Sequence, residues 1–255
     1  MLYLWNIVGG LDATRRWARG LALLGILVLG TVIVGGWLQH HFAIYNLSDS
    51  LLFLSWALPG LYLLMERRFR ITALGVFATL MSACILVVAV WLPGSISPAL
   101  IPALKSHWNL IHTVTCLIGY GGFTLAFGAA VMYSIQERML KEKRISVIRR
   151  RLPSLDAADR FAYKMVSLGF PMLTVGIITG SLWAQTAWSS YWNWDPKETW
   201  SLITWLIYAA YLHVRIISHR RGKWANRLLV IGFLCVLMTF IGVNLVDSGL
   251  HTYRW

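Results

Sequence analysis

Acidic side chains are scarce: the 255 residues hold ten Asp and Glu, and charged residues of both signs make up 13% of the chain. A soluble domain of this length needs far more polar surface, which excludes an ordinary cytosolic enzyme or binding module. Cysteine is nearly as thin. Cys84, Cys116 and Cys235 all lie inside apolar runs with no CxxC spacing, which argues against a thiol-redox role. No repeat of 20–50 residues and no linker divides the chain, so residues 1–255 read as one integral membrane domain. The first apolar run has a basic flank but no clear small-x-small cleavage site, and is therefore expected to be a retained helix and not a signal peptide.

Hydrophobic residues fill 58% of positions, and mean hydropathy is +0.62. Seven apolar runs fall at roughly 19–38, 49–65, 72–92, 110–135, 165–183, 200–217 and 228–246. Each is near the ~20 residues that span a hydrocarbon core, which predicts an all-α polytopic bundle of about seven transmembrane helices. Twenty of the 23 Lys and Arg cluster on alternate links: before the first run, between the second and third, across 138–164, and around the sixth-to-seventh link. Lys105, Lys197 and Arg254 are left on the other side. The positive-inside rule then sets a cytoplasmic N-terminus and an external C-terminus. The net charge of +13 is thus a record of membrane topology and not a nucleic-acid footprint. In the basic segment, Pro153 and Asp156-Ala-Ala-Asp159 read as the start of a short interfacial helix.

The expected external segment from Ser181 to Trp200 carries Trp183, Trp188, Trp192, Trp194 and Trp200 together with Tyr191. An aromatic belt at the headgroups accounts for two or three such residues per side. The remaining density suits a platform for a flat, apolar, conjugated ligand. Asp195-Pro196-Lys197-Glu198 has the form of a capping box with Pro at the first helical position, so Asp195 and Glu198 read first as the start of the sixth helix. His112 falls at the external start of the fourth helix and His251 beyond the external end of the seventh. On the residues alone each reads first as an ordinary interfacial His and only second as an iron ligand. His213 lies thirteen residues after Trp200, about 20 Å along a helix. At that depth it is either functional, with Ala209 and Ala210 leaving room for a planar ring, or snorkels toward Arg215 and the inner interface.

The run Trp188-Ser-Ser-Tyr-Trp192-Asn-Trp194-Asp-Pro-Lys-Glu-Thr-Trp200-Ser-Leu-Ile-Thr-Trp205, continuing to Tyr211-Leu-His213, resembles the WWD signature of the CcsA (ResC) family. Asn46 to Trp56, Ser106-His107 to Val114, and Gly242-Val-Asn-Leu to Tyr253 are similar to further segments of that family. The resemblance spans about residue 46 to the C-terminus. Ser189 stands where the family usually has Gly, and the chain is shorter than many relatives, which implies that an extra N-terminal helix is missing.

Membership would imply haem transport across a bacterial inner membrane, or a thylakoid membrane if plastid-encoded, as a haem-handling subunit of a holocytochrome c synthase (haem lyase). The resemblance assigns haem b as the group handled, with His112 and His251 as external axial ligands and His213 as a ligand within the membrane. Trp183, Trp188, Trp192, Trp194, Asp195 and Trp200 would surround the macrocycle. The implied partners are a ResB-type membrane subunit and the CxxCH segment of apocytochrome c, with no residue acting as a dedicated acid, base or nucleophile. His107, the main rival to His112, and His40 and His41 are expected to be bystanders. Two other readings remain at this level: haem delivery to a chaperone without thioether synthesis, and a haem-b electron-transfer membrane protein.

Overall fold

The computed structural model describes residues 12–40, 44, 46–69, 71–92, 106–143, 152–218 and 222–243, and the described residues form seven helices. They are α1 Asp12–His40, α2 Leu47–Phe69, α3 Thr72–Trp91, α4 His107–Lys141, α5 Leu155–Trp188, α6 Pro196–Ile216 and α7 Lys223–Leu237, the last running into a π turn at Met238–Gly242. No strand occurs among the described residues. Six of these helices are long and apolar enough to cross a membrane, and α6 is the exception. The protein is an all-α polytopic membrane bundle, as its hydropathy predicts. His251, with the segment 244–255 that holds Tyr253 and Arg254, and Lys105 lie outside the described residues.

Two helices are much longer than a hydrocarbon core is thick. At 35 and 34 residues, α4 and α5 extend about 50 Å at 1.5 Å per residue, well beyond a ~30 Å hydrocarbon core. The short interfacial helix expected after Pro153 is instead the first turns of α5. Ser154 caps it, its hydroxyl accepting the Ala157 N–H at 3.2 Å, so the helix continues without a break into the membrane.

The centre of the bundle is the α4–α5 crossing. A Cβ placed on Gly119 would sit 3.1 Å from the Gly169 carbonyl oxygen, and one on Gly169 only 2.9 Å from the Gly119 carbonyl oxygen. The two backbones approach at contact distance because neither residue has a side chain, the usual device for packing helices where lipid offers no hydrophobic drive. Around this crossing Phe123 stacks on Tyr208 of α6 with centroids 3.6 Å apart, and Phe127 on Phe233 of α7 at 4.1 Å. By contrast α1 clings to the edge. The Trp56 indole of α2 donates to the Ile26 carbonyl at 2.9 Å, while Leu21, Leu24, Leu27 and Val28 remain exposed as a face suited to lipid.

Charge separates along the axis, and the end opposite the basic segments is called external below. At the basic end one cation turns inward: Arg215 of α6 pairs with Asp159 of α5 at 2.6 Å, the side chains 5% and 11% exposed, and lies over the Tyr163 ring.

Candidate functional site: an aromatic and polar cavity at the external end

At the external end the starts of α2, α4 and α6 meet the ends of α5 and α7 around a cavity. It holds about 1140 Å³ of empty space, counting its open mouth. His112 and Cys116 of α4, Gly180 of α5, Trp192, Lys197 and Thr239 are among its walls. The π turn brings Thr239 and Phe240 to the cavity, and such turns recur at functional sites because they re-aim side chains.

His112 is the best-defined chemical group here. Its Nδ1 lies 2.7 Å from the Gly176 carbonyl oxygen. A carbonyl only accepts, so Nδ1 carries the hydrogen and Nε2 carries the lone pair. That arrangement, a ring N–H donated to a backbone carbonyl, orients metal-binding imidazoles. The ring has room only because residue 180 is glycine: a Cβ there would lie 2.5 Å from Nδ1. Behind it, Trp183 is buried and nearly parallel to the imidazole, centroids 6.4 Å apart, and Trp188 meets Trp183 edge-on at 4.9 Å.

The Trp-rich segment is less of a loop than its composition suggests. Trp183 and Trp188 belong to the last turns of α5, Trp200 lies within α6, and only residues 189–195 are non-helical. Ser189 ends α5 with φ 56° and ψ 25°, a left-handed cap in which Gly has no steric cost. This is the physical reason for a glycine preference at that position. Trp194 also has positive φ, 54°, which is strained for a bulky residue. Glu198 holds it there, its Oε2 accepting the N–H of Asn193 at 2.8 Å and of Asp195 at 3.2 Å, on either side of Trp194. Asp195 caps α6 through Oδ1 and the Lys197 N–H at 2.8 Å, completing the expected capping box. Trp192 lines the cavity, and Trp194, edge-on to it at 5.9 Å, is exposed.

Lys197 sits in the first turn of α6, outside the apolar stretch 200–217. Burial pushes its ammonium down to about 8, with the Asp195 carboxylate and then Cys116 opposing.

The histidines separate clearly. His112 reaches the cavity, whereas His107 is the exposed first residue of α4 and is not among the cavity walls. His213 is far from both, in the last turn of α6 and exposed on the outer face that also carries Leu206 and Ala210. Arg215 turns inward to Asp159. Gly176, Gly180 and Lys197 are site residues that composition did not single out. The Gly176–Gly180 spacing within an apolar run and the isolation of Lys197 from the other basic residues were the available signals.

Fold and site together define a class: a polytopic membrane protein with a histidine-bearing, aromatic-walled cavity at its external end. The cytochrome c assembly protein family matches residues 44–251. The chain is 34% identical to the cytochrome c biogenesis protein CcsA of Pyropia yezoensis, over all of this chain and 93% of the relative. It is 36% identical to CcsA of Synechococcus sp. (strain CC9902), over 92% of this chain and 85% of the relative. It is 31% identical to CcsA of Crocosphaera subtropica, over all of this chain and 93% of the relative. The chain belongs to the CcsA family and acts in cytochrome c biogenesis.

Proposed function

We propose that this protein carries haem b across the membrane and presents it, at the external cavity, to the CxxCH segment of apocytochrome c. The observation that carries the reading is the contact of His112 Nδ1 with the Gly176 carbonyl. Donation of Nδ1–H to the Gly176 carbonyl leaves Nε2 as the basic nitrogen, the form of imidazole that serves as an axial donor to haem iron. The cavity opens at its mouth, and Trp192 and Tyr191 on its wall offer aromatic faces to a flat ligand. Haem is the cargo here, and its vinyl groups are where the two apocytochrome thiols add.

What this chain's residues do is bind and orient. His112 supplies one axial nitrogen and His251 the second. Trp183 and Trp188 back the imidazole, and Trp192, Trp194, Trp200 and the Asp195–Glu198 cap set the shape of the cavity mouth. His213 serves entry from the cytoplasmic side. Its outward position suits a ligand pair completed by a histidine of a ResB-type partner. A haem-b electron carrier would call for paired histidines at similar depth inside the bundle; of the described histidines, His112 and His213 lie at opposite ends of it.

The test is the absorption spectrum of the purified protein and its His→Gly variants. His112→Gly and His251→Gly should each lose or oxidise the haem and fail to mature cytochrome c, with partial recovery on adding imidazole. His213→Ala should load less haem while leaving the external ligands in place. Wild-type spectra and maturation in both Gly variants would overturn the assignment.

A further inference from the structure

Lys197 is a cation in an unexpected place. Nearly all Lys and Arg of this chain sit at the basic end, yet Lys197 is at the external end, half-buried, and among the cavity walls. Among the described residues lining the cavity it is the only lysine or arginine. Topology does not account for it, since the positive-inside rule places cations on the other side. Capping does not either: the N-terminal turn of α6 is capped through Asp195, Glu198 and the backbone N–H of residue 197, none of which needs an ammonium.

The neighbouring acids do not make the cavity anionic in any simple way. The Glu198 carboxylate faces the N–H groups of Asn193 and Asp195, and that of Asp195 faces the N–H of Lys197 and attracts its ammonium. Both are stabilised by the positive end of the helix. The remaining polar side chains on the α4 wall, Asn109, His112, Thr113, Cys116 and Tyr120, include no carboxylate. A cavity lined by an imidazole donor, by a lysine and by aromatic and aliphatic groups is suited to a flat ligand with a carboxylate on its rim.

We propose that Lys197 is a ligand-recognition residue, which binds a peripheral carboxylate of a tetrapyrrole and thereby fixes its rotation in the cavity. This rests on the haem reading above and deepens it. The axial bond to His112 Nε2 leaves the macrocycle free to turn about the iron–nitrogen axis, and an off-axis charge contact removes that freedom. In haem b the carboxylates and the vinyl groups lie at different edges, so anchoring the acid edge decides which edge meets the incoming thiols.

The experiment uses metal-free protoporphyrin IX, which forms no axial bond, and its dimethyl ester, which lacks the rim charge. Each is titrated into the purified full-length protein and read by quenching of tryptophan fluorescence. Wild type should bind the acid more tightly than the ester. Lys197→Gln should lose roughly tenfold in affinity for the acid, the worth of one charge-assisted hydrogen bond, with no change for the ester. Lys197→Arg should retain the preference.

Equal affinity of wild type for acid and ester, or equal losses for both in Lys197→Gln, would overturn the role of Lys197. The tetrapyrrole reading would survive either result. Failure of both probes to quench wild type would overturn the two together. His112→Gly separates them further: it should lose the haem spectrum yet keep the acid-over-ester preference.

Discussion

Adding one methyl group at residue 180 separates the histidine's seat from the stability of the helix that provides it. In Gly180→Ala the new Cβ would lie 2.5 Å from Nδ1 of His112 and 2.8 Å from Cε1. Restoring ordinary contact near 3.5 Å requires the ring to retreat by about 1 Å. The Nδ1–H bond to the Gly176 carbonyl, now 2.7 Å, then stretches past the useful range. Two opposing terms act on folding: Ala at a helix-interior position gains about 1 kcal/mol over Gly, and overpacking costs about 1–3 kcal/mol. The net is a loss of about 0–2 kcal/mol, so the variant should still accumulate in the membrane. Function should suffer more, because losing the partner that orients a ligating imidazole typically lowers metal affinity 10–100-fold. Haem content per protein, read from the absorption spectrum after detergent extraction, should fall by that order. Gly60→Ala is the control, since a Cβ at Gly60 meets nothing within 4 Å and only the helix gain remains. Wild-type haem content and spectrum in Gly180→Ala would refute the claim that this close approach fixes His112.

Ser189→Gly relieves a left-handed residue at φ 56° and should raise stability by about 0.5–1 kcal/mol, the steric cost less the entropy of glycine; an unchanged or lower thermal midpoint would count against the cap geometry. Arg215→Met strands the buried Asp159 carboxylate and should cost about 3–5 kcal/mol, seen as lost membrane-inserted protein. Adding Asp159→Asn should recover most of that yield, and no recovery would mean that Arg215 matters for something other than the pair. A reporter fused after Trp255 should score external and one near Arg150 cytoplasmic. The same location for both would end the seven-span topology.

The helices were legible because bilayer thickness imposes one length on every run, and charge asymmetry sets the direction expected of them. Helix ends were not. The basic, polar residues 155–164 carry no apolar run, so the sequence showed a possible interfacial turn where α5 in fact begins. Tertiary contacts hold that extension: Phe161 is buried, its ring edge-on to Phe69 at 5.5 Å, and Asp159 reaches Arg215 across 56 residues. Site legibility divides in the same way. Asp195 and Glu198 announce a capping box by spacing alone, and the box is present. That Glu198 also straddles the strained Trp194 depends on a backbone angle no spacing encodes. The seat of His112 was hidden for a similar reason, since the carbonyl that selects its tautomer belongs to a residue 64 positions away.

The sixth helix shows how a span can be concealed from hydropathy yet fixed by its neighbours. It is missing from the helices apolar enough to cross a membrane, because one face is polar along its whole length: Glu198, Ser201, Thr204, Tyr208, Tyr211 and Arg215 follow at three- and four-residue steps. In lipid such a stripe would be prohibitive. Here it faces protein. The Thr204 hydroxyl lies 3.2 Å from that of Thr239 in the π turn, Tyr208 and Tyr211 are fully buried, and Arg215 meets Asp159. On another side of the helix, Trp205 donates to the Thr174 hydroxyl at 2.9 Å. Connectivity then leaves no choice of path. The chain leaves α5 at the external cavity beside Trp188 and enters α7 at the basic end at Lys223, so α6 must return through the bilayer. Its polar face is tolerable because α5 and α7 cover it. Its opposite face, with Leu206, Ala210 and His213, is left to lipid and to whatever membrane partner the chain meets, and there a single histidine stands out among apolar neighbours.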